Sequence, residues 1–136
     1  MRGLFWTGGA VLMTLGLLSC TAEPEVARRE YATYFKEYCA ACHGSGGRGN
    51  GPAAAGMTPR PTDLTRLSAN NGGVFPIVAV MNQIDGYRSG PRAMPEFGAF
   101  LVNDRSVMVE TAPGEFTPAP ERLAGMADYI RTLQTP

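Results

Sequence analysis

The chain has 136 residues, and its 12 basic residues balance 12 acidic ones. This length fits one modest domain. The basic residues are scattered, so no cationic stripe is present to follow a phosphate backbone, and nucleic acid is excluded as an expected partner. The 17 glycines and 11 prolines predict short helices separated by many turns.

The N-terminus reads as an export segment. Arg2 precedes an uncharged apolar run that is short for a membrane span and typical of a signal peptide. The run ends in LLSC, residues 17–20, which resembles a bacterial lipobox, where a diacylglyceryl group is attached to the cysteine. We therefore expect a lipoprotein signal peptide over residues 1–19, a lipidated Cys20 with a polar tether over 20–26, and one domain over 27–136. The alternatives are an ordinary secretory signal or an uncleaved anchor. All three interpretations predict that the domain is exported.

The first predicted element of the domain is an amphipathic helix that begins near Ala27 and runs into the stretch EYCAACHGSGG, residues 37–47. This stretch holds Cys39, Cys42 and His43, the single histidine of the chain. Two cysteines in an exported protein first suggest a disulfide, as in thioredoxin-like motifs. Those motifs lie at strand-to-helix junctions, and this sequence shows no alternation of strands and helices.

The spacing C-x-x-C-H is the attachment signature for c-type haem. Thiols one helical turn apart can add to the two vinyl groups on one haem edge, and the adjacent histidine then reaches the iron. A zinc site would need two further ligands, and the only cysteine left is Cys20. We therefore predict that Cys39 and Cys42 attach one haem c covalently and that His43 ligates its iron.

The remaining elements follow at helical or alternating spacing. A helix is predicted from Val74 to a stop at Gly86. The segment SVMVETAPGEF alternates weakly around Pro113–Gly114 and leaves room for a small hairpin. A last helix is predicted to begin between Thr117 and Pro120. The sequence thus predicts an all-α domain of three to four short helices with long Gly/Pro-rich loops. So few side chains cannot form a sufficient apolar core alone, and the haem supplies the missing apolar surface.

Residues 27–134 resemble the class I c-type cytochromes, most clearly in CAACHGSGGRGNGP, NGGVFPIVAVMNQIDG and AMPEFG. The resemblance implies a small cytochrome c fold whose C-terminal helix crosses the N-terminal one. Phe35 and Tyr129 match the aromatic pair at that crossing. Tyr31 stands where the family usually has glycine, so we expect the helix contact to be shifted or looser.

The resemblance also implies a methionine as the second axial ligand. With His43 used, no second histidine exists, and Lys36, the single lysine, lies too close to the motif. Met94, followed by Pro95, resembles the family's ligand turn, and Met108 is the alternative.

Further contacts follow from the resemblance. A backbone carbonyl of Pro59 or Pro61 is expected on the other nitrogen of His43, and three polar side chains are candidates for binding the haem propionates: Tyr87, Arg88 and Arg92.

Ligation by histidine and methionine leaves no open coordination position on the iron and favours the ferrous state. We therefore expect a periplasm-facing electron carrier, or the cytochrome subunit of an oxidoreductase complex, and not an enzyme in itself. It would be tethered to a bacterial membrane by lipid and would exchange electrons with redox partner proteins, with inner against outer membrane left open. The alternative is a haem enzyme or gas sensor with a labile sixth ligand. The gas-binding four-helix cytochromes place C-x-x-C-H near the C-terminus, unlike this chain.

Overall fold

A computed structural model describes residues 22–87, 94–101 and 105–136. In chain order, the regular elements are α1 (Ala22–Tyr34), a π-helical turn (Phe35–Cys39), α2 (Ala40–His43), α3 (Ile77–Asp85), α4 (Gly98–Leu101), β1 (Ser106–Ala112), β2 (Glu115–Pro120) and α5 (Glu121–Thr132). Short 3-10 turns at Pro52–Ala54, Leu64–Arg66 and Ala69–Asn71 interrupt the long connection from α2 to α3. Within the described ranges, no helix combines the length and the apolar character needed to cross a membrane. The predicted signal peptide and Cys20 lie outside these ranges.

The N-terminal helical segment begins at Ala22, before the predicted start at Ala27, and continues to His43. Between α1 and α2 the Ala40 N–H bonds to the Phe35 carbonyl, five residues back, which widens the helix into a π turn. Such turns are rare and are frequent at functional sites. This one ends at Cys39, so the distortion lies directly before the predicted attachment motif.

The crossing of α5 over α1 contains the predicted aromatic pair. Phe35 is 1% exposed, and its ring centroid lies 5.4 Å from that of Tyr129. The crossing is close, but its glycine is on the opposite helix from the family pattern. A Cβ on Gly125 of α5 would overlap the Tyr31 ring. The Tyr31 hydroxyl donates to the Glu121 carbonyl at 3.3 Å, so the aromatic side chain of α1 occupies the space left by the glycine of α5.

The class all-α is wrong in one respect, because β1 and β2 form a two-stranded antiparallel sheet. The hairpin turns at Pro113–Gly114 as the alternation allowed, with Gly114 at φ 77°. Thr117 pairs with Val109 and Pro120 with Ser106. The last helix, predicted to begin near Thr117 to Pro120, begins at Glu121 with Pro120 as its N-cap, because Thr117 to Pro120 pair with β1.

The C-terminal tail is bound to residues 64–68, which we call the strap. The Gln134 amide donates to the Leu64 carbonyl at 2.6 Å and accepts from the Ser68 N–H at 2.8 Å. The Thr135 N–H donates to the Thr65 carbonyl at 2.9 Å. These bonds fix the strap against the end of α5, and the strap forms part of the cavity wall described next.

Candidate functional site

A cavity of about 450 Å³ lies between the attachment motif, the strap, α3 and the loop before α4. Four residues singled out from the sequence line it together: Cys39, Cys42, His43 and Met94. They come from two regions of the chain that are far apart in sequence. The fold therefore brings two thiols, an imidazole and a thioether to one cavity.

The two thiols lie at one side of this cavity. Cys39 and Cys42 are both half-buried and free, with no disulfide between them. Burial raises the pKa of the Cys39 thiol to about 11, and the neighbouring Cys42 adds to the rise.

The imidazole of His43 is 9% exposed, and its orientation is set by a backbone carbonyl. Nδ1 donates to the Thr62 carbonyl at 3.0 Å. The prediction of Pro59 or Pro61 is wrong, although both prolines line the cavity. The Leu64 N–H donates to the Gly47 carbonyl at 2.7 Å, which holds the loop so that Thr62 meets the ring. With Nδ1 engaged, Nε2 is the nitrogen free to bind a metal.

The loop after His43 folds back onto the helix end. The Gly49 N–H donates to the His43 carbonyl at 2.8 Å, and the Gly51 N–H donates to the Cys42 carbonyl at 3.0 Å. A Cβ on Gly51 would run into the backbone carbonyls of Ala40 and Ala41. Only glycine allows this approach, so the glycine-rich stretch is part of the machinery that holds the motif.

The thioether of Met94 lines the same cavity from the loop before α4. Met94 is half-buried, and the amide nitrogen of Gln83 donates to its Sδ at 3.8 Å. The alternative ligand, Met108, is 62% exposed and lies on β1, where it lines a separate groove between the hairpin, α1 and α5. Met57 also lines the cavity, from the same loop as Thr62.

Of the three side chains predicted to bind the haem propionates, the structure describes only Tyr87. Tyr87 is 82% exposed and does not line the cavity. Arg88 and Arg92 lie outside the described residues. Arg60, which the sequence reasoning missed, is an exposed cationic residue in the cavity wall.

The reasoning also missed Thr62 and Gln83. No sequence pattern marks the Thr62 carbonyl, because it depends on the path of a loop. Gln83 could have been found from helical spacing, because residues at positions i, i+3, i+4 and i+7 lie on one face of a helix. Four residues of the α3 region with this spacing line the cavity: Pro76, Ala79, Val80 and Gln83.

The rest of the wall is mostly apolar and suits a flat apolar group such as a haem. Phe35 and Ile130 lie among the lining residues with the strap leucines, Leu64 and Leu67. Thiols at one side, an oriented imidazole and a thioether are the donor set for covalent attachment and two neutral axial ligands. The residues present therefore fit this group.

Comparisons with known proteins point the same way. A family model described as cytochrome C oxidase, cbb3-type, subunit III matches residues 26–108, which is more than half of the chain. The matched range contains the attachment motif, the strap, α3 and the Met94 loop. No curated protein and no solved structure matches at a comparable level.

Proposed function

The chain belongs to the cytochrome c oxidase, cbb3-type, subunit III family, and from that premise we propose that it transfers electrons at the periplasmic side of a bacterial membrane. It is a c-type cytochrome, and its cofactor is covalently bound haem c. The finer proposal concerns which residues hold the haem and where the domain works.

Cys39 and Cys42 are the attachment residues, and His43 and Met94 are the axial ligands. The observation that carries this proposal is that all four line one cavity, with His43 Nδ1 bonded to the Thr62 carbonyl. That bond fixes the tautomer in which Nε2 has its lone pair available. The aliphatic and aromatic wall limits the access of water to the site.

The bound haem supplies a one-electron couple. The residues around it determine which oxidation state is favoured, because a neutral thioether stabilises ferrous iron relative to ferric. With haem bound, Met94 would also occupy the position that a gas or peroxide would need. The domain therefore acts as an electron carrier or as the cytochrome subunit of an oxidoreductase complex, as the family description suggests, and not as a haem enzyme or gas sensor.

Anchoring is proposed through Cys20, after removal of the signal peptide over residues 1–19. The support is the lipobox-like LLSC at the end of the apolar run and the need of c-type haem attachment for an exported domain. Redox partner proteins, and a membrane oxidoreductase in particular, are the expected partners.

Ligand exchange at the iron tests the electron-carrier proposal. Met94→Ala should abolish the weak methionine-to-iron charge-transfer band of the oxidised protein, lower the reduction potential and open the reduced protein to carbon monoxide. Met57→Ala and Met108→Ala are the controls and should keep the band and the closed site. Rapid carbon monoxide binding by the unaltered protein would favour the sensor or enzyme class. If a control variant loses the band and Met94→Ala keeps it, the methionine changed in that control is the ligand.

The anchor has a separate test. Cys20→Ser should release the domain from the membrane fraction or leave it unprocessed, whereas Cys39→Ser should not change its fractionation. An unaltered mature chain without acyl mass would exclude the lipoprotein form.

A further inference from the structure

Gln83 is a polar residue on the cavity face of α3. It is half-buried and follows Val80 on that face. Its side-chain amide nitrogen lies 3.8 Å from the sulfur of Met94, within the range of a hydrogen bond to sulfur. The contact joins the helix to the loop that carries the thioether.

Only one of the two groups in this contact can donate the hydrogen bond. An amide nitrogen only donates, and a thioether sulfur only accepts. A thioether has two lone pairs, so a bond to Gln83 uses one and leaves the other for a metal. Methionine has three rotatable side-chain bonds and otherwise adapts its shape freely, so the contact restricts where the remaining lone pair points.

The backbone around the contact is fixed on both sides. The Phe97 N–H donates to the Ile84 carbonyl at 2.9 Å, one residue beyond Gln83. A Cβ on Gly98 would overlap atoms of Asp85, so the loop touches the end of α3 closely. The amide and the sulfur are therefore held together by neighbouring contacts and not by their own attraction alone.

We propose that Gln83 is a positioning residue that orients the Met94 sulfur and raises the reduction potential of the site. The inference rests on the proposed role of Met94 as the axial ligand. The N–H dipole points its positive end at the sulfur, which withdraws electron density from it. A poorer donor stabilises the additional charge of the ferric state less, and the ferrous state is favoured.

The test compares two substitutions at Gln83 with one at its neighbour. Gln83→Leu removes the donor at similar size, and Gln83→Glu keeps the length but presents a carboxylate without an N–H. Both should keep the covalent haem and lower the potential. In Gln83→Leu the reduced-to-oxidised ratio at the wild-type midpoint should fall about fivefold, as for one hydrogen bond. In Gln83→Glu it should fall further, because the negative charge also favours ferric iron. Asn82→Ala changes an amide on the same helix that does not line the cavity, and it should leave the potential unchanged.

The charge-transfer band separates the failure of this inference from the failure of the ligand assignment. A shifted or weakened band in the Gln83 variants supports the positioning role, as does loss of the band with haem still attached. If Met94→Ala abolishes the band but both Gln83 variants keep the wild-type band and potential, the role of Gln83 is overturned and the ligand assignment stands. If Met94→Ala keeps the band, both proposals are wrong.

Discussion

The two walls of the cavity differ in the group that contacts the ligand side chain, which is a backbone carbonyl at His43 and a side-chain amide at Met94. On the His43 side, backbone amides of Gly49 and Gly51 bind the carbonyls of the motif itself, and a further carbonyl orients the ring. On the Met94 side, a side-chain contact from Gln83 and one backbone bond from Phe97 join the loop to α3.

This difference separates two tasks. A backbone carbonyl moves only with its loop, so changes on the His43 side should affect attachment and folding. A side-chain contact can be altered without moving the backbone, so changes on the Met94 side should adjust the properties of a site that remains intact. The predictions below test this separation, from the largest expected effect to the smallest.

Attachment should fail completely when both thiols are removed. The double variant Cys39→Ala with Cys42→Ala, expressed in cells competent for cytochrome c maturation, should carry no covalent haem. Each single variant should retain less haem than the unaltered chain. Haem staining after denaturing electrophoresis measures this, with Met108→Ala as the control. Haem that extracts into acidic organic solvent from the unaltered protein would contradict the assignment.

Gly51→Ala should destabilise the protein by about 2–3 kcal/mol, because the new Cβ meets backbone atoms of Ala40 and Ala41 that have no room to move. Gly46→Ala is the matched control from the same loop, since nothing lies within 4 Å of a Cβ there. Denaturant unfolding of the haem-loaded proteins gives both free energies. Equal stability of the two variants would mean that the loop does not approach the motif as described.

Asp63 caps the turn that follows Thr62, accepting from the Thr65 N–H at 2.9 Å and from its hydroxyl at 2.7 Å. These bonds lower the pKa of Asp63. The cap therefore contributes stability above the unfolded-state pKa and loses it as the pH falls below about 4. Asp63→Ala should cost about 1 kcal/mol at neutral pH.

The loss in Asp63→Ala should shrink in acid, and unfolding measured from pH 3 to 7 follows it. Asp63→Asn keeps an acceptor at every pH and serves as the control, with a small loss that does not depend on pH. A gap between Asp63→Ala and the unaltered protein that stays constant down to pH 3 would show that the carboxylate is not the cap.

At the crossing of α1 and α5, the effect of one substitution on the free energy of unfolding should change sign with the residue at position 31. Gly125→Ala should destabilise the unaltered protein by about 1 kcal/mol, because the Tyr31 ring must move to admit the methyl group. In a Tyr31→Ala background the same change should stabilise by about 0.5–1 kcal/mol, since alanine favours the helix over glycine. A double-mutant cycle of unfolding free energies measures this coupling. Additive effects would exclude the contact.

Residues that are contiguous in sequence were the ones that sequence reasoning could interpret. Cys39, Cys42 and His43 form one short motif, and the family match supports the c-type cytochrome that it predicted. The hairpin turn was also predictable, because Pro113–Gly114 is a local feature. The start of α5 was not, since Thr117 to Pro120 join a strand only through pairing with β1.

Other parts of the site depend on tertiary structure. The Thr62 carbonyl was mistaken for that of a neighbouring proline because sequence spacing does not show which carbonyl a loop turns toward the ring. Gln83 was overlooked because the apolar pattern considered for α3 follows Ile77, Met81 and Ile84, which pack into the core, while the cavity also contacts the adjacent stripe that holds Ala79 and Gln83. Because α3 contacts both the core and the cavity, its sequence has to be examined for a second helical stripe beside the apolar one.

The bonds between the strap and Gln134 also impose an order of events on a growing chain. They join positions 66 and 70 residues apart, and contacts so distant in sequence form slowly. The attachment motif is synthesised well before Gln134 can reach the strap. During that interval the strap lacks these bonds, so the wall beside the motif is the last part of the cavity to be fastened.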